Sequence, residues 1–150
     1  MYLVSACLAG VNCKYSGGNN DCQWVRDFIK DKDYMLYCPE ETGGLSTPRP
    51  PAEIIDGRVY DKNGRDVTEN FILGAEKTMA AAEKRAAELG QEIELAISKA
   101  NSPSCGAGTI HDGTFTGKKV EGDGFFVRLL KVKGIAVISE LQQEEAEKFK

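Results

Sequence analysis

The sequence predicts an α/β fold: one three-layer, Rossmann-like domain with a mainly parallel sheet of about four strands and a small hairpin insertion. Two patterns carry this. Short apolar runs at 2–8, 34–38, 92–98 and 135–139 alternate with segments whose apolar residues recur at helical spacing. Strands that alternate with helices need crossover connections, and right-handed crossovers leave the strands parallel. Size is the third observation. A chain of 150 residues is one domain, 1–150, and is long enough to bury a core.

Each element has a local reason. The run 2–8 is apolar enough for a central strand, and the Gly- and Asn-rich stretch 10–20 is loop. Asp21 is placed to cap a helix in which Trp24, Val25, Phe28 and Ile29 share a face. The second strand, 34–38, is stopped by Pro39. Gly43-Gly44 with Pro48, Pro50 and Pro51 makes 41–52 an ordered loop, and Asp56-Gly57 turns a hairpin within 54–60. Asp66-x-x-Glu69 reads as a capping box for the longest helix. Its stripe is Phe71, Ala75, Met79, Ala82, Ala86 and Leu89, ended by Gly90. After the third strand, 92–98, the stretch 102–124 is loop with a hairpin turning at Asp112-Gly113. A short helix at 125–131, a fourth strand at 135–139 and a last helix capped by Ser139-x-x-Gln142 complete the chain.

Bulk properties exclude several functions. A net charge of −4 argues against a broad nucleic-acid surface. No apolar run approaches the roughly 20 residues a membrane helix needs. The start, Met1-Tyr2-Leu3-Val4, lacks the charged segment of a signal peptide, so a cytoplasmic location is expected. Thiols stay reduced there, so five cysteines, an odd number, point to metal binding or catalysis rather than a disulfide framework.

Cys7, Cys38 and Cys105 fall at or just after predicted strand ends. In a parallel sheet ligands bind beyond those ends. Three converging thiolates suit a soft metal or an iron–sulfur cluster with one metal corner open. Spacing alone does not separate zinc from a cluster. Cys13 is a candidate fourth thiol, and Cys22 a packing residue. Glu40, two residues after Cys38, is a candidate general base or acid. Ser102 and Ser104 flank Pro103 beside Cys105, where a hydroxyl can relay a proton or cap a turn. Arg49 and Lys99 are candidates to hold a substrate carbonyl or an anion. His111 lies on the flap-like hairpin. Gly122-Asp123-Gly124 before a helix is a weak anion-site signal; no GxGxxG or P-loop is present.

Several blocks together resemble the thiouracil desulfidase family. They are Ser5-Ala6-Cys7-Leu8-Ala9-Gly10 with Cys13-Lys14-Tyr15-Ser16-Gly17, then Cys38-Pro39-Glu40-Glu41-Thr42-Gly43-Gly44-Leu45 with Pro48-Arg49-Pro50-Pro51-Ala52-Glu53. The last is Lys99-Ala100-Asn101-Ser102-Pro103-Ser104-Cys105-Gly106 with Ile110-His111-Asp112-Gly113-Thr114-Phe115. The resemblance spans nearly the whole chain. It implies a cytoplasmic enzyme carrying a [4Fe–4S] cluster on Cys7, Cys38 and Cys105. It further implies non-redox removal of sulfur from thiouracil or a related small thiolated base, with no nucleic-acid polymer or membrane as partner. The thiocarbonyl sulfur would bind the open iron, Glu40 (Glu41 second) would activate water, and Ser102 or Ser104 would assist proton transfer. Lys14 and Ser16 stand where the family pattern has Arg and Asp, and His111 where it has Tyr; these departures bear on the substrate more than on the cluster. The competing expectations are a non-enzymatic metal or iron–sulfur module, and a thiol redox protein using Cys7 with Cys13 or Cys105.

Overall fold

The computed structural model describes residues 1–149. In chain order its strands are β1 (Tyr2–Ser5), β2 (Tyr34–Tyr37), β3 (Ala52–Ile55), β4 (Arg58–Asp61), β5 (Leu95–Ser98), β6 (Thr109–His111), β7 (Lys119–Glu121) and β8 (Val137–Ser139). Its α-helices are α1 (Gln23–Ile29), α2 (Pro39–Thr42), α3 (Thr68–Leu89), α4 (Phe125–Val132) and α5 (Gln143–Ala146). The main sheet has the order β2-β1-β5-β8, with every pair parallel. Tyr2 of β1 aligns with Tyr34 on one side and Leu95 on the other.

Alternate residues of a strand face opposite ways, and a parallel sheet buries both faces. On one face Tyr2, Val4, Leu95 and Ile97 pack with Val25, Phe28 and Ile29 of α1. On the other, Met1, Leu3 and Ala96 pack with Ala75, Met79 and Ala82 of α3 and with Phe126 and Leu130 of α4. The result is the expected three-layer fold. Two antiparallel hairpins, β3-β4 and β6-β7, stand outside the main sheet. They share a smaller apolar cluster of Ile54, Val59, Val67, Phe71 and Ile110. The first turns through Asp56 and Gly57, both at positive φ, as the Asp-Gly pair predicts.

Several local expectations are corrected. The first strand stops at Ser5, and Ala6–Ala9 coil into a 3₁₀ turn closed by Gly10 at φ +88°. Cys22 flanks α1, while Asp21 pairs with Arg26 at 2.8 Å instead of capping. Pro39 starts a helix rather than merely ending a strand, because its fixed φ suits a first helical position. Asp66 accepts from the Thr68 N–H at 3.0 Å and from the Thr68 hydroxyl at 2.6 Å, and Val67 is the residue flanking α3. Ser139 and Gln142 do bond, Gln142 accepting the Ser139 N–H at 2.9 Å, but α5 starts only after them.

Two glycines hold α2 against α3. A Cβ on Gly74 would lie 1.9 Å from the Pro39 carbonyl oxygen, and one on Gly43 would lie 2.0 Å from that of Asn70. Backbone meets backbone here, so neither side can give way cheaply. The contact fixes the short segment that carries Cys38 and Glu40. Replacing Gly by Ala normally favours a helix interior by about 1 kcal/mol. Gly74→Ala is expected to do the opposite and destabilise the protein by about 1–3 kcal/mol through overpacking, read from urea or thermal unfolding.

Candidate active site

The carboxyl ends of β1, β2 and β5 lead into one cavity of about 410 Å³. The chain runs from β1 outward to β2 and returns across β1 to β5, so the cavity lies at the reversal point of strand order. Cys7 comes from the 3₁₀ turn after β1, Cys38 from the residue between β2 and α2, and Cys105 from the turn beyond β5. All three line the cavity, and Cys13 joins them from the loop after the 3₁₀ turn. All five cysteines of the chain are free thiols.

The thiols differ electrostatically. Burial pushes the Cys105 thiol up to about 12, although Ser5 and Ser104 hydrogen-bond its sulfur and favour the thiolate. Burial also raises Cys7, against a side-chain hydrogen bond from Asn20. Cys38 is lowered to about 7 by a hydrogen bond from the Cys13 thiol and another from the Glu41 backbone N–H in α2. Cys13 is raised by the same neighbour and by burial, and the Cys38 Sγ lies 3.8 Å from the Cys13 carbonyl oxygen. Among the described residues, no three Cys, His, Asp or Glu side chains close around one point as ligands of a single ion do. The thiols open onto one shared cavity, and thiolates are the donors that an iron–sulfur cluster takes.

Beside the thiols is a buried charge pair. Arg49 Nε donates to Glu40 Oε1 at 3.1 Å, with the two side chains only 6% and 14% exposed. The guanidinium also donates to the Cys13 carbonyl at 2.9 Å and to the Thr47 hydroxyl at 2.8 Å. The Arg49 N–H donates to the Tyr15 carbonyl at 2.8 Å. One arginine thus ties the 13–15 loop to the segment carrying Glu40. The other carboxylate oxygen, Glu40 Oε2, accepts the Ser104 hydroxyl at 2.8 Å. That hydroxyl also lies 3.6 Å from the Cys105 sulfur.

A family model for 2-thiouracil desulfurase matches residues 2–142. The chain belongs to the 2-thiouracil desulfurase family. The Bacillus subtilis (strain 168) protein YbbK, uncharacterised, is 43% identical, covering 93% of this chain and 95% of its own. The solved structure of TudS, a [4Fe–4S]-dependent thiouracil desulfidase, superposes with a TM-score of 0.83 at 38% identity, over 97% of this chain and 94% of that one. Both the resemblance read from the three sequence blocks and the α/β fold class agree with these matches.

The remaining sequence candidates divide. Ser102 and Ser104 bond each other at 3.0 Å, but Ser102 Oγ also accepts the backbone N–H groups of Ser104 and Cys105, at 3.1 and 3.0 Å. Ser102 therefore shapes the turn, and Ser104 faces the carboxylate. Lys99 is held by Glu140 at 3.1 Å. Glu41 turns to the Thr47 hydroxyl, away from the Ser104 contact that Glu40 makes. The helix start after Gly122-Asp123-Gly124 is not an open anion site. Its Phe125 and Phe126 N–H groups donate to the Pro103 and Ser104 carbonyls, at 2.9 and 3.0 Å. Gly124 is required there because a Cβ would lie 2.5 Å from the Ser104 carbonyl carbon. His111 lines the cavity, with its buried Nδ1 unpartnered among the described residues. Arg49, a sequence candidate to hold a substrate carbonyl or an anion, is paired with Glu40, a tie that nothing local in the sequence reveals. Glu53, not a sequence candidate, has its partners across the β6-β7 hairpin.

Breaking a buried pair strands its other charge. Arg49→Met is expected to destabilise the protein by about 3 kcal/mol. Adding Glu40→Gln to Arg49→Met should recover part of that loss in a chemical-denaturation double-mutant cycle. Strict additivity of the two changes would show that the pair is not coupled.

Proposed function

We propose that this protein is a [4Fe–4S]-dependent desulfidase acting on thiouracil or a related thiolated base. The observation that carries the reading is one cavity onto which three strand-end thiols, a fixed carboxylate and a hydroxyl all open, in a chain of this family. Cys7, Cys38 and Cys105 would hold the cluster by three of its irons. When bound, such a cluster supplies an iron without a cysteine ligand, a Lewis acid for the thiocarbonyl sulfur.

The chain's own residues account for the protons. Glu40 takes a proton from the water that attacks the thiocarbonyl carbon. Arg49 occupies Oε1 and holds the carboxylate still, which leaves Oε2 as the working oxygen beside Ser104. The Ser104 hydroxyl donates to Glu40, and its own lone pairs can accept, so it can pass a proton between the carboxylate and the leaving sulfur. Ser104 fits this role better than Ser102, whose oxygen is occupied by two backbone N–H groups. The balance is water plus C=S giving C=O plus hydrogen sulfide. Carbon exchanges one ligand for another and no electrons are transferred.

Anaerobic reconstitution with iron and sulfide is expected to give a brown protein that releases sulfide from 2-thiouracil. Cys→Ala at 7, 38 or 105 should lose the colour. Glu40→Gln should keep it while kcat falls by about 10²–10⁴-fold, and Ser104→Ala should cost more kcat than Ser102→Ala. A colourless protein after reconstitution removes the proposal. A brown protein without sulfide release makes it a cluster-carrying module.

A further inference from the structure

The β6-β7 hairpin reaches back over the cavity, and its tip, residues 112–118, is held shut by an unusual set of bonds. The Asp112 N–H donates to the Lys118 carbonyl at 3.0 Å, closing the loop. Asp112 Oδ1 accepts the Thr114 N–H and hydroxyl at 3.0 and 2.6 Å. Glu53 of β3, only 8% exposed, puts one oxygen on both the Gly113 and Phe115 N–H groups, at 3.0 and 3.1 Å. A buried carboxylate is thus committed to clasping the tip to the neighbouring hairpin.

The clasp holds Phe115 at φ +58°, in the left-handed region. A bulky residue is an outlier there; Asn or Gly would adopt it more easily. Strain of this kind persists where the surroundings over-determine it, and it collects at ligand-binding sites. Phe115 belongs to none of the three apolar clusters and to none of the aromatic pairs among the described residues. It lines the same cavity as Glu40 and the thiols, partly buried.

We infer that Phe115 is the stacking platform for the planar ring of the substrate, and that Glu53 is the positioning residue that presents it. The inference rests on the desulfidase reading for the ligand's chemistry, and it adds to that reading the residues that would hold the base's ring. Stacking of a base on an aromatic ring is sequence-tolerant and changes affinity by about tenfold or more.

The test separates this from both a structural role and the reaction itself. Uracil, the sulfur-free ring, is titrated by calorimetry into the protein as isolated with its cluster. Phe115→Gly should weaken uracil binding about tenfold or more. It should leave Tm unchanged or raise it by up to about 3 °C, because glycine relieves the positive φ. Phe115→Tyr should retain binding. Glu53→Ala should weaken binding as Phe115→Gly does, and Glu53→Gln, which can still accept both N–H groups, should restore it. In turnover, Phe115→Gly should raise KM for 2-thiouracil far more than it lowers kcat. Equal uracil affinity in wild type and Phe115→Gly, or no uracil binding by wild type, overturns the inference. Loss of binding in Phe115→Gly accompanied by a matching fall in Tm overturns it too. Sulfide release with a KM indifferent to Phe115 sinks the platform and leaves the desulfidase reading standing. Phe115-dependent uracil binding without sulfide release does the reverse.

Discussion

Strand β1 is hydrogen-bonded in parallel to β2 on one side and β5 on the other, and the site depends on that pairing. Parallel pairing makes all three strands end at the same edge. Cys7, Cys38 and Cys105, separated by dozens of residues, therefore emerge as neighbours. A parallel sheet requires cover on both faces, which α1 supplies on one and α3 with α4 on the other. The helices are thus a condition for the sheet, and the sheet is the condition for the convergence of the three thiols. The cavity opens where the chain reverses direction across the sheet, the place such folds leave room for a ligand.

Around that edge, the loops are held by polar contacts as well as by apolar burial. Arg49 joins the Tyr15 and Cys13 backbone to Glu40, and Glu40 joins Ser104 to the same network. The turn carrying Cys105 is fixed by Ser102 from within and by the first N–H groups of α4 from outside. Close backbone contacts at Gly43, Gly74 and Gly124 leave no slack for these segments. Such a site keeps its carboxylate and hydroxyl in register without the mobile side chains that a solvated surface would supply.

What could be read from the chain follows from how local each signal is. The alternation of apolar runs with helical stripes exposed the layers, and the positions of Cys7, Cys38 and Cys105 after three of those runs exposed the thiol edge. Glu40 was legible because it lies two residues from Cys38. Arg49 was legible as a candidate but its pairing with Glu40 was not, since its charge is neutralised through a tertiary contact and a solvated arginine looks the same in sequence. Pro39 was read as a stop because a proline after a strand usually is one. Its role as first residue of α2 depends on α3 packing against the following turn. The choice between Ser102 and Ser104 needed hydrogen-bond partners that no spacing encodes. The clasp from Glu53 to the 113–115 tip joins two hairpins about sixty residues apart, so neither end announces the other.

The central claim is that three strand-end thiols form one ligand set and leave a single iron for the substrate's sulfur. Mössbauer spectroscopy of the protein loaded anaerobically with isotopically enriched iron, recorded before and after addition of 2-thiouracil, tests it most directly. The account predicts iron environments in a three-to-one ratio, with only the minority component moving when 2-thiouracil is added. Four equivalent irons, or a minority iron indifferent to 2-thiouracil, would contradict it.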